Sequence, residues 1–398
     1  MKKIENLANK YLERMIELRR ELHKCPELGF QEFKTAEIIK KELDKLGIPY
    51  ESEVAKTGVV ALIKGTENGK TVLLRADMDG LPLDEENDLE YKSEISGQMH
   101  ACAHDGHVAG LLGCAMILND MKESIKGNIK LMFQPAEEGP GGAKPMIDAG
   151  VLENPKVDGA FSCHIWPMKE AGKILVKNGD MMTHTTSFDI VIQGRGGHGS
   201  QPQVTIDPVI IGCEIVSNFQ NIISRNISTL TPAVLSVCSI KAGEAYNIIP
   251  DKLTLKGTIR TFDEKLTDKI VERMEDILSG ISKAYGNSYD LKVYRMYPAL
   301  KNNSKMYKLS KKSLGKIVGE KNVLDMSEPL MGSEDFSYIS KEVPSNYFLV
   351  GVKEEEDKFL LHHPKLVWND KYLKISSSAL VQVALDFLHE DEKEDVIR

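Results

Sequence analysis

The chain has 398 residues, 41% hydrophobic and 28% charged, with 51 Lys and Arg against 59 Asp and Glu for a net charge of −8. That length is too great for one ordinary core and predicts two domains. The acidity argues against nucleic acid as a partner, because phosphates need a basic face.

No apolar run reaches the roughly 18 residues that a membrane helix needs. The start, Met1-Lys2-Lys3-Ile4-Glu5-Asn6, enters a charged amphipathic pattern without the apolar stretch of a signal peptide. The expectation is a cytoplasmic protein with no membrane partner. Leu7, Tyr11, Met15, Leu18 and Leu22 recur at helical spacing, Pro26 and Gly29 interrupt, and 35–46 carries a second helical pattern. Strands are predicted at 58–63 and 71–75, the second apolar throughout and so covered on both faces. A helix is predicted at 109–121, a strand at 129–134, and another at 158–164 with a His at its end. Strands alternating with helices predict an α/β sheet, with ligand sites at the carboxyl ends of its strands.

The texture changes near residue 184. The order strand 187–194, helix 208–224, strands 233–240 and 252–260, helix 263–285 and strand 289–294 matches a ferredoxin-like unit. Alternation resumes after about 298. The predicted organisation is therefore a discontinuous catalytic domain, 1–183 and 298–398, with an inserted domain at 184–297.

One thiol and three imidazoles fall within the eight residues His100 to His107. Cys, His and carboxylates bind transition metals. Cys102 and His104, two apart, face one ion if the segment is extended; the alternative is a buried thiol beside a solvent His. The other five cysteines are scattered without paired spacing, which predicts free thiols. His107 suits a helix start or a supporting place, and Asp105 could fix the tautomer of an imidazole. Asp77 and Asp79 follow a strand and are either ligands, orienting groups for a ligand His, or turn carboxylates. Glu137 and Glu138 lie between a strand and a Gly-rich loop, where one can ligate and the other act as a base. His164 ends a strand and would be structural if it stood alone. The run Gly194 to Ser200 lacks the ending of a phosphate loop, which excludes that reading. Asn247 and Arg260 are candidates for holding a substrate carboxylate.

These pieces together resemble the M20 family of metallopeptidases and amidohydrolases, most closely its aminoacylase and hippurate-hydrolase-like branch, which includes auxin-conjugate hydrolases. The marks are LHKCPELGFQEFKTA (22–36), RADMDGLP (75–82), HACAHDGH (100–107), FQPAEEGPGGA (133–143), HIWP (164–167), GRGGHGSQP (194–202), NIIPDKLTLKGTIRTF (247–262), MGSEDFSYI (331–339) and LHHP (361–364). The resemblance implies a zinc-peptidase-like α/β domain with an inserted ferredoxin-like α+β lid and dimerisation domain, and a homodimer or higher homo-oligomer. It implies two divalent metal ions per subunit held by Cys102, His104, Glu138, His164 and His362, with Glu137 as general base. The ions would be Mn2+ or Zn2+, with Co2+ or Ni2+ as further candidates. Many relatives outside the branch carry a His where Asp77 stands and a bridging Asp near His104; this chain has neither, so the resemblance implies a bridging part for Cys102. His198 is implied as an oxyanion stabiliser, and Asp77, Asp79 and Asp105 as supporting carboxylates. The expected reaction is hydrolysis of N-acyl-L-amino acids. The alternatives are a carboxypeptidase, a dipeptidase, an N-acetyl-diaminopimelate deacetylase, a silent metal-bound scaffold, or a structural zinc protein, which would need only four tight ligands.

Overall fold

The structure, a computed structural model, describes residues 2–390. Met1 and 391–398, which belong to the expected catalytic segments, lie outside the described residues. Two compact units are present: Met1–Met181 with Lys301–Pro329 and Asp335–Arg398, and Met182–Leu300 with Leu330–Glu334. No helix among the described residues is long and apolar enough to cross a membrane.

The first unit is built on an eight-stranded sheet. In spatial order its strands are Tyr50–Val54, Gly58–Lys64, Lys126–Gln134, Glu67–Asp77, Gly159–Glu170, Ser345–Lys353, Ile174–Val176 and Val323–Asp325. The four strands from Lys126–Gln134 to Ser345–Lys353 pair in parallel, with Arg75 opposite Met132 on one side and Ser162 on the other. From residue 71 onward the strand Glu67–Asp77 is buried almost without interruption, as a strand covered on both faces requires. Chain order reverses at this strand: the next strand of the sheet lies on one side of it and Gly159–Glu170 on the other. Such a reversal opens a crevice at the carboxyl ends.

The helix His104–Asp120 has every residue from His104 to Leu118 buried. It starts five residues before the predicted 109, and its glycines explain the difference. Glycine lowers helix propensity, but here it permits close packing. A Cβ on Gly113 would stand 2.2 Å from Met15 Sδ, on the helix Lys2–Lys24, and a Cβ on Gly106 would stand 2.5 Å from the Trp368 ring.

The second unit is a four-stranded antiparallel sheet in the order Ala233–Ala242, Lys252–Thr261, His184–Gln193, Ser288–Arg295. Counted along the chain this is 2-3-1-4, the ferredoxin-like arrangement. The helices Pro208–Asn221 and Glu264–Tyr285 are each capped by a preceding Asp: Asp207 accepts from Val209 N–H and Asp263 from Lys265 N–H. They enclose a core of Phe188, Ile190, Ile215, Phe219, Leu255 and Met274.

Candidate metal and active site

Separate stretches of the first unit converge on one cluster, buried except at Glu138 and His362. The strand Glu67–Asp77 ends at Asp77 and leads directly to Asp79. The segment 99–103 carries Cys102, and Ala103 turns the chain with a left-handed φ of 63° into the helix that begins at His104. The strand Lys126–Gln134 leads into the loop with Glu137 and Glu138. His164 sits within Gly159–Glu170. His362 is brought in from far along the chain by its own backbone, whose N–H donates to Ala101 O at 2.8 Å.

Two expectations are corrected here. Cys102 and His104 do not share an extended segment, because the left-handed turn at Ala103 separates a loop thiol from a helical imidazole. His164 does not end its strand, which runs on to Glu170 while pairing with Ser345–Lys353.

The donor atoms nonetheless meet. Cys102 Sγ lies 3.4 Å from His164 Nε2 and 3.3 Å from His362 Nε2, and His362 Nε2 lies 3.2 Å from Glu138 Oε1. Cys102, His104 and His164 form one triad of mutually close donors, and Cys102, Glu138 and His362 form another. Glu137 groups with His104 and Glu138. Zinc bonds of about 2.3 Å to sulfur and about 2.0–2.1 Å to nitrogen, at a tetrahedral angle, put two donors about 3.5 Å apart. The observed separations fit that geometry.

Tautomers fit as well. His104 Nδ1 faces Asp79 O at 3.0 Å and Asp79 Oδ1 at 3.1 Å, and His164 Nδ1 faces Ile165 O at 2.6 Å. Each Nδ1–H is spent on an oxygen, leaving Nε2 for the cluster.

The charges are those of a cation site. Burial pushes the Cys102 thiol well above its usual range, and the carboxylates of Glu138, Glu137 and Asp77 add to the shift. Burial opposes a charge on His104, but Asp77 and Asp79 outweigh it and push the imidazole up to about 10. Burial also opposes ionisation of Glu138, but the hydrogen bond to His362 and the nearby imidazoles hold it low. His164 is pushed well below its ordinary value by burial and by neighbouring His107. A protonated thiol and a charged imidazole among carboxylates are what a divalent cation would displace.

Asp77, His104 and His107 also lie close together, but this group is already satisfied. Arg75 Nη1 donates to Asp77 Oδ2 at 2.6 Å, His107 Nδ1 contacts Asp77 Oδ1, and His107 Nε2 accepts from Ile165 N–H at 2.9 Å. A guanidinium holds the place a cation would take. Asp79 bridges two parts of the cluster, since its Oδ2 also accepts from Glu138 N–H at 2.9 Å. Asp105 meets none of the predicted ligand side chains; its carboxylate takes Arg19 Nε and His23 Nδ1, each at 2.7 Å.

Three further predicted residues belong to the second unit. His198 and Asn247 are exposed neighbours on a short two-stranded ribbon, where Gly199 N–H donates to Asn247 O at 2.8 Å and His198 Nδ1 takes Ser200 N–H at 3.1 Å. Arg260 lies in the four-stranded sheet, its guanidinium on Thr185 Oγ1 and Ser333 Oγ.

The family model described as peptidase family M20/M25/M40 matches residues 73–386. The chain belongs to this family. It is similar to thermostable carboxypeptidase 1 of Saccharolobus solfataricus, 38% identical over 97% of this chain and 98% of that protein. It is similar also to an N-acyl-L-amino acid amidohydrolase of Geobacillus stearothermophilus, 44% identical over 73% of this chain and 78% of that protein. Among solved structures it resembles the YXEP protein of Bacillus subtilis, described as a dinuclear metal binding peptidase of the M20 family, with a TM-score of 0.82, 32% identity and coverage of 96% and 99%. As an M20 member the chain is a hydrolase of amide bonds.

Sequence reasoning assigned no role to several buried residues around this site. Arg75, Asp335, His23 and Glu32 all fall within the motifs that carry the resemblance, yet their type and spacing do not say what they touch.

Proposed function

We propose that this M20 member hydrolyses N-acyl-L-amino acids to a carboxylate and a free amino acid, using two divalent ions held by Cys102, His104, Glu138, His164 and His362. The observation that carries the reading is the meeting of two donor triads on one thiol, with the spare carboxylate of Glu137 beside them. A structural zinc site would close on four donors and would have no use for that carboxylate. The same spare base argues against a silent scaffold.

Bound ions would polarise the scissile carbonyl and lower the pKa of the attacking water. Glu137 takes the proton of that water and returns it to the leaving nitrogen. His198 stabilises the developing oxyanion, while Asn247 and Arg260 hold the substrate carboxylate, Arg by a two-pronged match to its oxygens. Asp79 fixes the His104 ring and the Glu138 backbone together. The resident ions in this reading are Mn2+ or Zn2+, the working form is a homodimer, and the compartment is the cytoplasm.

A second reading, peptide hydrolysis, is favoured by the near full-length similarity to a carboxypeptidase. One experiment separates the two. The protein is stripped of metal and reloaded separately with manganese, zinc, cobalt or nickel. Release of free amino acid is then measured from N-acetyl and N-benzoyl amino acids beside dipeptides. Metal-dependent release from acylated substrates is expected; release from dipeptides alone would replace this reading with a peptidase.

A further inference from the structure

The loop that carries Glu137 has an improbable backbone. Ala136 adopts φ 55°, in the left-handed region that any residue with a Cβ disfavours. It is completely buried, so its N–H needs a partner. That partner is Glu32, more than a hundred residues earlier: Glu32 Oε1 accepts from Ala136 N–H at 2.9 Å, and its Oε2 takes Thr57 Oγ1–H at 2.6 Å. Glu32 precedes the helix Phe33–Leu46 but makes no capping bond to it. Its carboxylate is buried and turned to the loop instead. Gly29 keeps the two segments in contact, since a Cβ there would stand 2.9 Å from Ala136 Cβ and 2.8 Å from Gly139 O. At the far end of the loop, Asp335 Oδ2 accepts from Gly142 N–H and Ala143 N–H, both at 2.9 Å. Both ends are thus held by buried carboxylates, with Glu137 between them.

We propose that Glu32 is a positioning residue for Glu137: by holding the Ala136 N–H it fixes the left-handed turn that presents the next residue's carboxylate to the donor cluster. The inference rests on the reading of Glu137 as general base. Without the acceptor, Ala136 reverts to a common backbone conformation and the Glu137 side chain swings out of line. Chemistry suffers while the ions and the substrate still bind.

The test compares E32A, E32Q and E32A/A136G in the metal-reconstituted full-length protein, with kcat, KM and metal content measured for each. E32A is expected to lose about 10²-fold in kcat, the scale of a small misplacement of a reacting group, with KM and metal content near wild type. E32Q restores most of that loss, because its amide oxygen still accepts from Ala136 N–H. A136G restores part of it in the E32A background, because glycine enters the left-handed region without strain. A merely structural Glu32 would lower stability but would not answer to a glycine at 136. Wild-type kcat in E32A, a loss that tracks loss of metal, or no recovery with A136G would overturn the proposal. Should E32A fail to fold, G29A decides: its new Cβ presses on Ala136 and Gly139, so a lowered kcat with metal retained supports the proposal and wild-type kcat sinks it. E137Q is measured in parallel. If E137Q turns over normally, the base reading has failed by itself; if E137Q is inactive and E32A is not impaired, only the Glu32 inference has failed.

Discussion

The first turn of the helix His104–Asp120 supplies one residue to each of two buried polar clusters, Asp105 to one and His104 to the other. Around Asp105 every charge is answered. Arg19 takes Asp105 and, at 2.9 Å, Asp370; Arg20 takes the other oxygen of Asp370 at 2.8 Å; His23 lies between Asp105 and Glu85. Glu85 further accepts from Ser93 N–H and Asn87, and Arg19 lies over the rings of Tyr91 and Trp368. Around His104 the bookkeeping differs: Arg75 answers Asp77, while Glu138 and Glu137 crowd the Cys102 thiol and raise its pKa, and the Glu138 carboxylate meets the His362 imidazole. A network that closes on itself stabilises the fold, while one that lacks a cation is poised for a ligand.

The contrast can be broken most sharply at Glu137. E137Q is expected to lose about 10²–10⁴-fold in kcat, the usual worth of a general base, with two ions still bound by metal analysis. Full turnover would remove the open cluster's claim to catalysis.

Next comes Cys102, which both triads share. C102A is expected to lose retention of both ions through desalting, whereas H362A would lose one preferentially. A companion measurement follows protons. In the metal-free protein the thiol is raised and His104 stands at about 10, so both are protonated near neutrality. Zinc needs thiolate and neutral imidazole, so its addition should release protons, and its affinity should fall as pH falls. Proton uptake on zinc addition would reverse this reading.

The closed cluster should answer in stability instead. D105N removes the charge that Arg19 and His23 share, leaving them only Asp370 and Glu85, and is expected to cost on the order of 3 kcal/mol in denaturant unfolding, with metal content unchanged. The signs with pH follow from the two groups. Burial opposes ionisation of Asp105, but Arg19 and His23 hold its pKa far below the usual carboxylate range. Its contribution is therefore complete above about pH 4 and is lost as pH falls toward the folded value. Burial and Arg19 oppose a charge on His23, but Asp105 and Glu85 raise its pKa overall. That contribution is complete below about pH 6.5 and is lost as pH rises through the folded value. A D105N protein whose stability matched wild type at pH 7 would show that the closed cluster contributes nothing.

The smallest expected effect lies in the packing that brings the two clusters onto one helix. G113A gains helix propensity, but its Cβ meets Met15 Sδ at 2.2 Å and Ser377 Oγ at 2.8 Å. Overpacking of this kind costs about 1–3 kcal/mol, more than the roughly 1 kcal/mol that alanine returns. A raised melting temperature would contradict it.

Much of the molecule was legible before its coordinates. The unbroken apolar run of 71–75 identified a strand covered on both faces, and the order of elements from 187 to 294 identified the ferredoxin-like unit. These are local properties: periodicity and run length are written in neighbouring residues, and burial of one face enforces them. Residue chemistry drew attention to Cys102, His104, the pair Glu137 and Glu138, and His164, because few side chains bind transition metals; the resemblance, not the spacing, selected Glu138 and His362 as ligands. Only the tertiary structure decided the rest. The sequence pattern started this helix only at 109; it begins at His104, and three glycines let it lie against Met15, Trp368 and the serines of the helix Leu373–His389. His362 reaches the thiol through a backbone bond to Ala101 that no spacing foretells. Asp77, left open as ligand or support, is claimed by Arg75, and Glu32 holds a loop more than a hundred residues away. A buried charge takes whichever partner the fold brings within hydrogen-bond reach, and that depends on packing between distant segments rather than on their own sequence.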